Sequence, residues 1–308
     1  MRTMRSVGVC LVILAAVCWG VSGGIANILM DKGWDPIVIS FYRGAIGFLC
    51  FFTWFLIRFK QNRTSSKKLY LWSFLAGVGV AGNFTFYFFT IQASGVAVAS
   101  TLMYTAPVFV LVISFLLRIE RSTWFKWGCI FGVLIGVVML TGAYNTDSIS
   151  VGVLGMISGL SAGLCYALFI FGFKNASSIG KPQPTLTIAF FSFCFILFLV
   201  ADIRELSSVL TSGDLVWFLL LGVQGAGVSF ILYVIGMKWI APTTASMVAM
   251  VEPVTASLFG FLLIGDHLTL VQLLGIALIL ITVVVLSLKK PAPVQESPIV
   301  YAEEVSIM

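Results

Sequence analysis

Thr244-Ala-Ser-Met-Val-Ala-Met-Val251-Glu252-Pro253-Val-Thr-Ala-Ser-Leu-Phe-Gly-Phe-Leu-Leu-Ile264 is an apolar run with a carboxylate and a proline side by side near its middle. It is as long as a bilayer crossing requires, and a carboxylate in hydrocarbon is costly enough to mark a functional or structural site. The proline removes one backbone hydrogen bond, bends the helix and frees a carbonyl about one turn earlier. Thr105-Ala106-Pro107 repeats the pattern without the acid. The rest of the chain reads as a frame around these two prolines.

Composition sets the class. Hydrophobic residues make up 60% of the 308 residues and charged residues only 10%, which suits an all-α polytopic membrane protein and no soluble fold. The net charge of +6 is confined to short gaps between apolar runs. That placement fits lipid headgroups and topology control, and it argues against nucleic acid as a partner. The run after Met1-Arg2-Thr3-Met4-Arg5 is too long for the core of a signal peptide and lacks a small-x-small cleavage site, so it reads as a retained first span. The six cysteines, Cys10, Cys18, Cys50, Cys129, Cys165 and Cys194, fall inside apolar runs with no CxxC, as reduced packing residues do.

Ten runs are long enough to span. The first five are Val7–Met30, Pro36–Ile57, Leu69–Gln92, Val96–Leu117 and Trp124–Gly142. The second five are Val151–Phe173, Thr185–Ala201, Leu215–Met237, Thr244–Ile264 and Leu268–Leu288. Only Gln92-Ala93-Ser94-Gly95 separates the third from the fourth, and Gly95 supplies the turn. With both termini in the cytoplasm, 15 of the 18 Lys and Arg residues fall on the cytoplasmic side, leaving Lys32 and Arg204 outside and Arg43 within a span. Residues 289–308 form a polar, acidic tail expected to be disordered.

The halves match each other. At an offset of 146, Gly79 meets Gly225, Phe84 meets Phe230, Tyr87 meets Tyr233, Pro107 meets Pro253 and Glu120 meets Asp266. In the first span the offset is 147: Gly8 meets Gly155, and Cys18-Trp19-Gly20 faces Cys165-Tyr166-Ala167. The chain thus divides into a five-helix repeat over 1–146 and a second over 147–288. Five spans per repeat is an odd number, so the second copy must lie inverted in the membrane. Inverted repeats with helices broken at the midplane belong to alternating-access transporters.

With Trp19-Gly20 in the first span, Arg43 in the second, Pro107 and Pro253 in the fourth and ninth, and the stretch Val251 to Thr269 followed by Gly275, the pattern resembles the drug/metabolite transporter superfamily, and within it the EamA-type ten-helix transporters. The likeness runs over about Gly8–Leu288. Asp266 stands where that family more often has Glu, Gly128 sits one residue closer to its acid than Gly275 does, and no arginine in the seventh span answers Arg43. The resemblance implies export of an amino acid or a related amine or carboxylate from a bacterium across its inner membrane. It also implies that the fifth and tenth helices are peripheral to the other eight, which leaves a homodimer open through the Gly128/Gly132/Gly136 ladder.

The interiors of the spans hold two formal charges, Arg43 and Glu252. They are expected either to tether two helices as a pair or to face a cavity and bind substrate or a proton. Asn83 and Tyr87 share one face of the third span, and Gln224, Ser229 and Tyr233 run along the eighth. Trp19, Asn27, Tyr104 and Tyr166 add polar tips to largely apolar bodies. The candidate cavity residues are therefore Trp19, Asn27, Arg43, Asn83, Tyr87, Tyr104, Tyr166, Gln224, Tyr233 and Glu252, with Pro107 and Pro253 as kinks. Gly222, Gly225 and Gly227 read as packing positions rather than a hinge. The one histidine, His267, builds no metal cluster, and no phosphate loop opens a helix, so neither cofactor nor metal is expected.

The functional expectation is a secondary transporter of a small organic molecule, whose partners are that substrate and the lipid bilayer. A zwitterion would suit one basic and one acidic group. The alternatives are a facilitator or exchanger of another metabolite, a scaffold, or an intramembrane enzyme, which would need clustered acids or histidines that the loops lack.

Overall fold

A computed structural model describes residues 2–64, 66–144, 152–265 and 267–288. The tail, with Asp147 and Asp266, lies outside the described residues. All the secondary structure described is helical. Among the described residues nine helices are long and apolar enough to cross a membrane. The tenth, Pro182–Phe198, has 17 residues, or about 26 Å at 1.5 Å per residue. The spans in order are Arg2–Asp31, Pro36–Ile57, Lys67–Ser94, Val96–Leu116, Trp124–Thr141, Val153–Ile179, Pro182–Phe198, Leu215–Met237, Pro242–Ile264 and Leu270–Leu288. They form two sets of five.

Most ends fall within a few residues of the sequence expectation; the first span starts at Arg2 rather than Val7, and the sixth runs on to Ile179 rather than ending at Phe173. The seventh span begins three residues early because Pro182 occupies its first turn, where a missing N–H breaks no helical bond. Gly95 ends the third helix and opens the fourth at φ +82° and ψ 166°, a conformation essentially reserved for glycine. The fourth and ninth spans are each two half-helices rather than one kinked rod. The fourth breaks at Tyr104 and Thr105 and resumes at Ala106. The ninth breaks at Ala249 and Met250 and resumes at Val251. Pro107 and Pro253 thus sit in the first turn of a new helix, at equivalent positions in the two halves.

Contacts repeat at the same offset. A side chain on Gly79 would meet the Phe169 amide nitrogen at 2.6 Å, and one on Gly225 would meet Ser22 Cβ at 2.4 Å. Ser22 and Phe169 are 147 apart, so the third span packs on the sixth as the eighth packs on the first. Because Gly79 faces backbone that cannot yield easily, Gly79→Ala is expected to destabilise the protein by about 1–3 kcal/mol. Thermal melting in detergent would register this as a lower Tm.

The glycine ladders act within the chain. Gly132 packs on Thr282, while Gly136 and Gly275 pack against each other and Ile279, joining the fifth span to the tenth. Gly155 approaches Ser94, and Gly159 and Gly163 approach Leu102. Two of the three glycines in the ladder that suggested a dimer are therefore already covered by the chain's own last helix.

A short helix, Ile203–Val209, lies in the acid-rich segment between the seventh and eighth spans. Its Glu205 carboxylate accepts from the Asp35 amide at 2.7 Å, and its Leu206 carbonyl accepts from Tyr42 Oη at 2.6 Å. Lys32 Nζ and Trp34 Nε1 both donate to Asp214. Those bonds, that of Lys32 first, hold the Asp214 carboxyl below the ordinary aspartate range. This strap joins the first inter-helix loop to the second half of the chain.

Candidate functional site

The broken helices meet at one cavity of about 500 Å³. Its wall runs from mid-span residues to the span ends on the face opposite the N-terminus, where Met30, Pro36, Ile91 and Val96 form the rim. Trp19, Asn27, Arg43, Asn83, Tyr87, Tyr104, Tyr166, Glu252 and Pro253 all line it. Gln224, Tyr233 and Pro107 do not.

Arg43 reaches the wall from the second span. Its Nε and Nη2 both donate to the Gly225 carbonyl, at 3.1 and 2.9 Å, and its guanidinium lies 5.1 Å from the centre of the Phe84 ring. That carbonyl is available because the eighth span widens into a turn of π-helix over Val223–Val228, and π-turns release carbonyls from the regular ladder. Ser229 Oγ donates to the same carbonyl at 2.8 Å and accepts from Trp19 Nε1 at 3.0 Å. One network therefore fixes Trp19, the wide turn and Arg43 together.

The tether between Arg43 and Glu252 that sequence reasoning held open as one alternative is not formed. No ion pair joins the two among the described residues. Arg43 is tethered instead to backbone, and Glu252 comes from the half-helix Val251–Phe259, opened by the break before it. Tyr166 is close enough to Glu252 to interact with it, yet among the described residues its buried hydroxyl makes no hydrogen bond of good geometry. A buried hydroxyl and a carboxylate that line the same cavity can both serve a ligand bound there.

The remaining polar lining is held from behind. Asn83 Nδ2 donates to the Ala162 carbonyl at 3.0 Å, and Tyr87 Oη shares a 3.0 Å hydrogen bond with Ser100 Oγ. Phe84, Phe88, Phe169 and Phe230 complete an aromatic wall. Such a site offers one cation, one anion and stacking surface in a space large enough for a small metabolite.

Gln224 and Tyr233 lie behind that wall. Gln224 Nε2 donates to the Cys18 carbonyl at 2.8 Å. Tyr233 is fully buried, its ring 4.9 Å from that of Trp19, and its hydroxyl has no hydrogen-bond partner among the described residues. Tyr87 and Tyr233 are repeat-related, but the cavity opens only on the side of Tyr87. The functional features that sequence reasoning missed are the wide turn and its Gly225 carbonyl. The crowding of Gly222, Gly225 and Gly227 was the available signal, and it read as packing alone.

The face carrying the N-terminus is shut. Lys174 Nζ donates to the carbonyls of Met237 and Ile240 at 2.8 Å each, and Glu120 Oε1 accepts from the Thr243 amide at 3.0 Å. A cavity open at one face and sealed at the other is the geometry of a carrier caught in one state of its cycle.

Comparison with known proteins agrees with that geometry. A transporter of Archaeoglobus fulgidus is 31% identical over 92% of this chain and 97% of its own. The inner membrane transporter YicL of Salmonella typhimurium is 27% identical over 91% of this chain and 95% of its own. The threonine/homoserine exporter RhtA of Escherichia coli is 24% identical over 88% of each chain. One crystal structure superposes with a TM-score of 0.75 at 18% identity, covering 92% of this chain and 96% of that one, which is a likeness of fold. The EamA-like transporter family matches residues 6–142 and 153–288. This multi-pass integral membrane protein, with its cavity between broken helices, belongs to the EamA-like transporter family.

Proposed function

We propose that this transporter exports a small zwitterion, an amino acid or a related amine or carboxylate, by alternating access across the bacterial inner membrane. The observation that carries the reading is that Arg43 and Glu252 line one aromatic cavity without pairing with each other. An unpaired cation and anion in a low-dielectric site are each stabilised by a ligand of complementary charge, so a molecule bearing both charges satisfies both at once. The substrate carboxylate would sit at the guanidinium edge not turned to Gly225. Its ammonium group would sit between Glu252 and the tyrosines Tyr104 and Tyr166. Charge on the loops supports placing both termini in the cytoplasm, which makes the observed state outward-open. The names of RhtA and YicL support export and the inner membrane. The units 1–146 and 147–288 would then be the two inverted bodies that exchange.

Thermal shift of the purified protein tests the substrate class. A ligand at a hundred times its Kd adds about 2.7 kcal/mol of stability. Amino acids are expected to raise Tm at concentrations where the matching simple amines and simple carboxylates do not. Equal stabilisation by a lone amine or a lone carboxylate would contradict the two-charge reading.

A further inference from the structure

The latch on the sealed face has an unmade counterpart on the open one. Lys174 Nζ donates to the carbonyls of Met237 at 2.8 Å, Lys238 at 3.4 Å and Ile240 at 2.8 Å. These are carbonyls at the end of the helix Ser229–Met237 and in the link to the ninth span, where backbone acceptors lack partners and a cation is favoured. Moving each residue back by the repeat offset turns Lys174 into Asn27, Met237 into Ile91, Lys238 into Gln92 and Ile240 into Ser94.

The correspondence is borne by contacts as well as by alignment. Gly8 packs on Trp239 and Ile240, and its counterpart Gly155 packs on Ala93 and Ser94, the counterparts of those two. Each repeat thus presses the first helix of its partner against the same link between third and fourth helices. Asn27 and Ile91, however, both line the open cavity. On the sealed face the lysine is bonded across the gap. On the open face the same two positions stand on the wall and rim of the cavity.

In an inverted-repeat carrier the second state is reached when each repeat takes up the conformation of the other. We infer that Lys174 and Asn27 are the paired gate residues of this transporter, and that in the alternate state the Asn27 side-chain amide donates to the carbonyls of Ile91 and Ser94 as Lys174 lets go. The donor inventory fits. An ammonium has three N–H groups and spans three carbonyls here, while an amide NH₂ has two and can span two. The pair is unequal in strength, because hydrogen bonds from a charged donor are roughly twice as strong as neutral ones. The observed state, latched by lysine, is therefore the resting one. This inference rests on the alternating-access reading but not on the identity of the substrate.

The test is alkylation of a cavity cysteine in purified protein without substrate. Ser257 lines the cavity, so Ser257→Cys gives a reporter whose rate with a bulky maleimide, above the background of the native cysteines, measures how long the mouth stays open. In that background Lys174→Met is expected to slow alkylation severalfold, since losing charge-assisted bonds shifts the two-state equilibrium by about tenfold or more toward the closed mouth. Lys174→Arg, which keeps a charged multi-donor group, is expected to hold the parent rate. Adding Asn27→Ala to Lys174→Met is expected to restore most of the rate by weakening the opposite gate. An unchanged or faster rate in Lys174→Met would overturn the pairing, and unfolding falls in that class because it exposes the reporter. A double variant as slow as Lys174→Met would overturn it equally. A wrong substrate class affects thermal shift and leaves this assay untouched.

Discussion

Arg43→Met is expected to weaken substrate binding by about a hundredfold or more while leaving the fold largely intact. The reason lies in how the Gly225 carbonyl is served. It accepts from Arg43 Nε and Nη2 and, independently, from Ser229 Oγ. Removing the guanidinium therefore does not strand a buried acceptor, and the methionine can keep the apolar contact with Phe84. What is lost is the only cation among the described residues that line the cavity. Truncating one partner of a buried, hydrogen-bonded charge pair costs about 2–5 kcal/mol, and each 1.4 kcal/mol is tenfold in affinity. Arg43→Lys should recover part of the loss, because a lysine retains charge but cannot bond Gly225 and a carboxylate through one planar fork. Kd values from calorimetry, read beside the Tm of each variant without ligand, check this. A methionine variant that binds as tightly as the parent would remove Arg43 from the site.

Glu252→Gln is expected to separate two activities. Among the described residues Glu252 is the one carboxylate lining the cavity, and it lies in the first turn of the half-helix Val251–Phe259. A carboxylate in that position holds either a substrate ammonium or a proton. The two compete, and export can be driven by protons entering the site from outside. Glutamine preserves shape and removes the charge, so the variant should no longer accumulate substrate against its gradient when a pH gradient is imposed. It should still exchange substrate at saturating concentrations with no gradient, because that exchange needs the gates and the cavity but no proton carrier. A glutamine variant that concentrates substrate as well as the parent would exclude Glu252 as the coupling group. Loss of exchange and of thermal stability together would instead assign Glu252 a structural role.

Much of this architecture is written locally. Gly95 marks a turn that only glycine can make, the two proline sites mark the broken spans, and the apolar run lengths set the crossings. The reach of Arg43 to Gly225 was not legible. It depends on a wide turn at Val223–Val228, where the sequence shows only Gln224 and a crowding of glycines that close helix packing explains equally well. Nor was the fate of Tyr233. Sequence symmetry relates it to Tyr87 but cannot say which repeat faces an open cavity, because a single conformation breaks that symmetry. Lys174 illustrates the same limit from the other side. Near a span end it reads as a topology signal, and only the fold shows the carbonyls that it bridges.

The central claim is that one cavity, with Arg43 and Glu252 on its walls, carries a zwitterion across the membrane. Counterflow in proteoliposomes tests it most directly. Vesicles loaded with an unlabelled amino acid should take up the labelled one transiently above equilibrium, and vesicles holding the Arg43→Met protein should not. Absence of counterflow across a broad panel of amino acids, or overshoot that persists undiminished in Arg43→Met, would contradict the account.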